Sequence, residues 1–167
     1  EIEFVELNGN ADEGFKMTYN GIPEGLYKKL RFNIGLTDDM NATVPGDYEI
    51  GSPLGRTDHY WEAWGSYIFS KTEGSADPDG DGVFDLKWFY HTGSDALMRT
   101  VAIEQEILID YKGLFVLELE LDYNQLLRTS DGTPFDIEAH PRNHNPEELG
   151  LITQLVDNYA RALHVKI

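Results

Sequence analysis

Asp77, Asp79 and Asp81 stand two residues apart, Gly82 follows, and Asp85 holds the ninth place counted from Asp77. This spacing matches the opening of the calcium-loop template D-x-D-x-D-G. Alternate carboxylates in a tight turn converge on one hard cation. Gly82 permits the bend, and Val83 occupies the seventh position, where a backbone carbonyl is offered to the ion. The twelfth position, normally a bidentate Glu, is Trp88. A helix–loop–helix hand is therefore not expected, and the last oxygen must come from elsewhere, such as Glu73, or from water. The alternative is a solvated acidic turn with glycines for geometry. Four aspartates within nine residues repel one another without a cation, and calcium bound at Asp77, Asp79, Asp81, Val83 and Asp85 is the expected reading, as a structural staple on a hairpin.

All three tryptophans, Trp61, Trp64 and Trp88, flank that loop, together with His59 and His91. Tyr60, Trp61, Trp64, Tyr67 and Phe69 can be explained as strand residues filling a core. The two histidines are explained less well that way, although a lone histidine is most often a hydrogen-bonded structural residue. Two imidazoles beside an indole suit a soft or borderline metal such as copper. His140 and His144 are four apart, but Pro141 prevents a helix between them. His164 falls near the end of a helical stretch, where a cation favours the dipole. These three are read as structural or exposed.

The elements that must position these groups are mostly strands. Residues 1–7, 15–19 and 30–36 alternate or run as short strands separated by Gly, Pro and Asn turns. Residues 37–58 lack periodicity and carry Pro45, Gly46, Pro53 and Gly55, which marks a long loop. Strands resume at 60–71, 83–91 and 97–109, with Val101, Ile103, Ile107 and Ile109 on odd positions. In 114–121, Phe115, Leu117, Leu119 and Leu121 share one face. Asn145 as N-cap, Pro146 at N1 and Glu148 at N3 open a helix on which Leu149, Ile152, Leu155, Val156, Tyr159 and Leu163 recur. The expected fold is all-β, a single antiparallel β-sandwich domain over 1–167 with about seven to nine strands and a C-terminal helix.

Size and charge narrow the function. At 167 residues the chain can bury a full core. Thirty acids against 13 bases, a net charge of −17, repel nucleic acid and anionic membrane while accumulating cations. Cysteine is absent, which excludes thiolate sites, thiol nucleophiles and disulfides and leaves oxygen and imidazole ligands. No apolar run approaches the roughly 18 residues of a transmembrane segment. Starting at Glu1 without methionine, the chain reads as a mature or trimmed form from which a signal peptide has been removed. A calcium-type loop suits the millimolar calcium outside the cytoplasm, so an extracytoplasmic location is expected.

Further residues carry a resemblance. Leu30-Arg31-Phe32-Asn33-Ile34-Gly35 is followed by Asn41, by Ser52-Pro53-Leu54, by Tyr60-Trp61 with Gly65, by Tyr67-Ile68-Phe69, by Glu73-Gly74 and by Phe89-Tyr90-His91-Thr92-Gly93. In this order they resemble the MbnP-like domain family, bacterial proteins that are secreted or lipid-anchored and related to copper-binding partners of methanobactin systems. The 117–122 strand and the Asn145-Pro146-Glu147 helix start look like the same family's ending. The resemblance spans about 26–165 as a series of short motifs, each weak alone and specific in their order. It implies a β-sandwich in the periplasm, on the outer membrane as a lipoprotein, or secreted, which in some members binds copper through two histidines and an oxidisable tryptophan. Trp61 matches the family's tryptophan and His91 its FHxG histidine. Many relatives carry a histidine directly after the asparagine matched by Asn41, where this chain has Ala42. His59, two residues before Trp61, is the expected substitute, because residues two apart on a strand share a face.

Two function classes follow. One is a metal-binding domain with structural calcium and with copper binding or handling at His91, His59 and Trp61. The other is a calcium-stabilised module that presents its aromatics to a carbohydrate or cell-surface partner. An enzyme is not expected: G-x-S-x-G, H-E-x-x-H and a Cys–His pair are all missing.

Overall fold

The computed structural model describes residues 2–7, 14–110, 115–145 and 149–166. Among these, eight strands and three α-helices follow one another. Strand β1 (Gly25–Ile34) leads through the four-residue helix α1 (Asp38–Asn41) and three 3-10 turns to β2 (Tyr60–Trp61), β3 (Ser66–Ala76) and β4 (Leu86–Gly93). After β5 (Arg99–Ile109) come β6 (Leu119–Leu121), α2 (Tyr123–Leu126), β7 (Arg142–Asn143), α3 (Leu149–Ala162) and β8 (Leu163–Val165). The pairings are β1 with β5, β6 with β8, and a four-stranded sheet in the order β2-β3-β4-β7. All are antiparallel except β4 with β7. The β-rich class with a C-terminal helix is as the sequence implies.

Strand alternation works where a face is buried. On β5, Val101 and Ile103 are buried, whereas Thr100, Ala102 and Glu104 between and beside them are exposed. On β4, Trp88, Tyr90 and Thr92 point to the core, and Lys87, Phe89 and His91 alternate with them. The helix fills the space beneath this sheet. Leu155 and Ala162 of α3 join Trp88, Tyr90, Leu126 and Phe135 in one core cluster. Ile152 and Val156 join Leu97 in a second. Asn158, also buried, donates from Nδ2 to the carbonyls of Leu126 (2.7 Å) and Arg128 (2.6 Å). Tying α3 to the end of α2 and the residues just after it satisfies a polar group that would otherwise be costly to bury.

Three expectations on elements change. Residues 2–7 and 15–19 carry no strand, and Phe15, Met17 and Tyr19 are exposed. An alternating pattern names the face a strand would bury, but it does not by itself make the backbone pair with another strand. The loop at 37–58 is partly ordered by α1 and the 3-10 turns. Leu163, which continues the helical apolar spacing, instead opens β8, because its backbone pairs with Leu121. The expected caps at Pro146 and Glu148 lie outside the described residues, as does Glu1.

Candidate metal centres

The loop between β3 and β4 holds its aspartates in a tight array. Gly80 and Gly82 adopt φ of +74° and +88°, conformations that glycine enters without a steric penalty. The chain thereby turns its amides inward. Asp77 accepts from the backbone N–H of Gly80 (2.8 Å), Asp81 (3.2 Å) and Gly82 (2.8 Å). These amides, Gly82 foremost, hold its pKa below the ordinary carboxylate value. Asp81 in turn accepts from Val83 N–H at 2.7 Å. One carboxylate oxygen from each of Asp77, Asp79 and Asp81 lies within 4.8 Å of the others. The donor set is all oxygen and anionic, which fits a hard cation. Asp85 is exposed and stands outside this trio. Glu73, one expected source of the last oxygen, is instead engaged by His91.

A second cluster lies on the face of the four-stranded sheet opposite the core. The four-residue turn after β2 closes with Trp64 N–H to Trp61 O (3.0 Å) and Gly65 N–H to Glu62 O (3.0 Å). It lays the two indoles on each other, with centroids 5.0 Å apart and planes 12° from parallel. Gly93 makes room: a Cβ there would lie 2.6 Å from the Trp64 ring and 2.7 Å from the Tyr67 carbonyl. Behind the turn, Asn41 anchors the start of β3. Its Oδ1 accepts from Ser66 Oγ (3.0 Å) and Tyr67 N–H (2.9 Å), and its Nδ2 donates to Asp95 (2.7 Å). Asn41 is thus a buried structural clasp, and Ala42 beside it is exposed.

Three segments meet at Trp61. Its ring centroid is 6.3 Å from that of His91 and 5.0 Å from that of His144. The two imidazoles are 6.3 Å apart. The parallel pairing of β4 with β7 accounts for this: Phe89 faces Arg142 and Tyr90 faces Asn143, so the next residue on each chain is a histidine. The β4–β7 contact is secured by Phe89 N–H to Pro141 O (2.8 Å) and by Tyr90 Oη–H to His140 O (2.8 Å). His91 is largely enclosed, and its Nε2 lies 2.6 Å from Glu73 Oε1. Two nitrogen donors beside an aromatic wall suit a borderline metal such as copper.

The expected partner imidazole is placed elsewhere. His59 ends a 3-10 turn (Thr57–His59) just before β2 begins, so strand alternation does not carry it to the face of Trp61. Its ring packs on Phe4 at 4.3 Å. Its Nδ1 is 3.1 Å from Asp58 Oδ2 but out of line for a hydrogen bond, so this buried atom stays unsatisfied. Burial lowers the His59 pKa against the opposing pull of Asp58. His144, expected from the sequence to be structural or exposed, lies beside Trp61. Its only local signal was Pro141, which forbids a helix and leaves an extended stretch free to pair. The remaining aromatics divide: Tyr67, Trp88 and Tyr90 are core residues, and Phe69 closes over Gly35.

No helix among the described residues is long and apolar enough to cross a membrane. No curated protein and no solved structure matches the chain. A family model described as MbnP matches residues 2–145, a span that contains Trp61, His91, His144 and the aspartate loop and stops short of α3. The ordered motifs agree with this match, and the chain belongs to the MbnP family.

Proposed function

We propose that this domain binds metal outside the cytoplasm, with copper held by His91 and His144 beside Trp61 and calcium held by Asp77, Asp79 and Asp81. The observation that carries the copper reading is the convergence of three rings from distant segments, with His91 and His144 each within 6.3 Å of Trp61. His144 takes the place that the sequence reading allotted to His59. Copper bound there would supply a redox-active, imidazole-ligated centre. The protein's part is to hold two neutral nitrogen donors on a rigid sheet and to shield them with the stacked indoles. The role proposed is capture or transfer of copper, not catalysis.

Calcium has a different task in this reading. It offsets the mutual repulsion of the aspartates and fixes the turn that joins β3 to β4. A platform for carbohydrate would need an open indole face, whereas Trp61 is hemmed in by Trp64, His91 and His144. The deciding test is titration of the metal-free protein with Cu(I) and Cu(II) against a competing chelator, in wild type and in His91→Ala, His144→Ala and His59→Ala. Loss of copper in the first two and retention in the third is the expected result. Equal binding by all four would remove the site.

A further inference from the structure

We infer that Glu73 is a positioning residue for His91, setting which ring nitrogen the imidazole offers to a metal; this rests on the copper reading above. Glu73 lies on β3, where the antiparallel register sets Lys71 opposite His91 and Glu73 opposite Phe89. Residues two apart on a strand share a face, so Glu73 sits diagonally across from His91 and within reach of its ring. The contact is short, 2.6 Å from Oε1 to Nε2. The lysines on that face are engaged elsewhere: Lys71 Nζ donates to the carbonyl of Asp58 at 2.9 Å and Lys87 Nζ to Ser75 Oγ at 2.7 Å.

A carboxylate only accepts hydrogen bonds, so the facing ring atom is Nε2–H. The neutral imidazole then carries its lone pair on Nδ1, and Nδ1 is the nitrogen left for a metal. A carboxylate on the far nitrogen of a ligating histidine fixes tautomer and ring orientation and raises the basicity of the donor. Glu73 is half-exposed and His91 largely covered, at 46% and 18% of their side-chain surfaces. A pair in such a setting adds little to folding stability. Its effect is therefore expected in metal affinity and tautomer and not in the melting temperature.

The test has two parts. Long-range ¹H–¹⁵N correlation spectra of the metal-free protein at about pH 8, above the ordinary imidazole range, report the His91 tautomer without any metal. Wild type is expected to show Nε2–H, and Glu73→Gln and Glu73→Ala a mixture. A wild-type Nδ1–H tautomer would overturn the inference. Chelator-competed copper titration should then give an affinity about 10- to 100-fold weaker in Glu73→Ala, with an unchanged Tm for the metal-free protein. Unchanged affinity in Glu73→Ala would overturn the positioning role. So would a loss as complete as that of His91→Ala, which would make Glu73 a ligand itself. If wild type bound no copper, or His91→Ala and His144→Ala bound it normally, the copper reading would fail instead, whatever tautomer the spectra showed.

Discussion

The two candidate centres are built in opposite ways from the same hairpin. At its tip, Asp77, Asp79 and Asp81 sit within five residues, and the turn that joins β3 to β4 brings their carboxylates together by itself. On its outer face, Trp61, His91 and His144 are up to 83 positions apart and meet only because four strands pair in one sheet. The aspartate loop is a local object that could be recognised from spacing alone. The aromatic–imidazole cluster is a product of topology, and changes that leave all three of its rings intact can still undo it.

Removing the imidazoles of the cluster should have the largest effect. His91→Ala or His144→Ala is expected to weaken copper by about 100-fold or more, beyond the range typical of residues that only support a ligand, whereas His59→Ala should shift it by about twofold at most. Isothermal titration reads all three. A large loss in His59→Ala would return the site to the strand-alternation argument and dismantle the contrast.

The local centre should respond next. Asp79→Asn and Asp81→Asn are expected to abolish the rise in Tm that calcium produces, a gain of about 2.7 kcal/mol at a hundredfold excess over Kd. Copper affinity should stay the same. Thermal melts with calcium and with a calcium chelator check this, and a calcium-independent Tm in wild type would count against the staple.

Gly93→Ala probes topology without touching a ligand. The added Cβ would meet the Trp64 ring and a backbone carbonyl that cannot swing away. A loss of about 1–3 kcal/mol is expected from the overpacking, together with weaker copper binding as the Trp61–Trp64 stack is displaced. Denaturant unfolding with a parallel copper titration would separate the two. Normal copper affinity in a destabilised variant would show that the stack is dispensable to the cluster.

The smallest effect concerns Tyr90, whose hydroxyl joins β4 to the segment before β7. Burial pushes its phenol up from the ordinary 10.0 to about 12. A raised folded-state pKa means that its contribution is whole below about pH 10 and is lost as pH climbs toward 12. Tyr90→Phe should cost about 0.5–1.5 kcal/mol at neutral pH and flatten that alkaline decline. Urea melts across pH 8 to 12 would read both, and an alkaline limb unchanged in the variant would assign it to another group.

Much of this molecule could be read before folding was considered. The alternation of Val101 and Ile103, the apolar stripe Ile152, Leu155 and Val156, and the glycines of the 77–85 loop all did locally what their types dictate. The failures share a cause. Residues 15–19 alternate but pair with no described strand. Leu163 keeps helical spacing yet is drawn into β8 by Leu121. His59 has the right offset from Trp61 but lies in a 3-10 turn, where period two does not apply.

By itself the sequence determined the β-rich class, the amphipathic helix, the family and the aspartate loop, because each depends on neighbours a few residues apart. Only the tertiary structure decided that His144 and not His59 lies beside Trp61 and His91, that Glu73 contacts His91, and that the helix fills the core beneath β4. Those depend on a two-residue parallel pairing and on strand register, and backbone hydrogen bonds between distant segments leave no periodic trace in the chain.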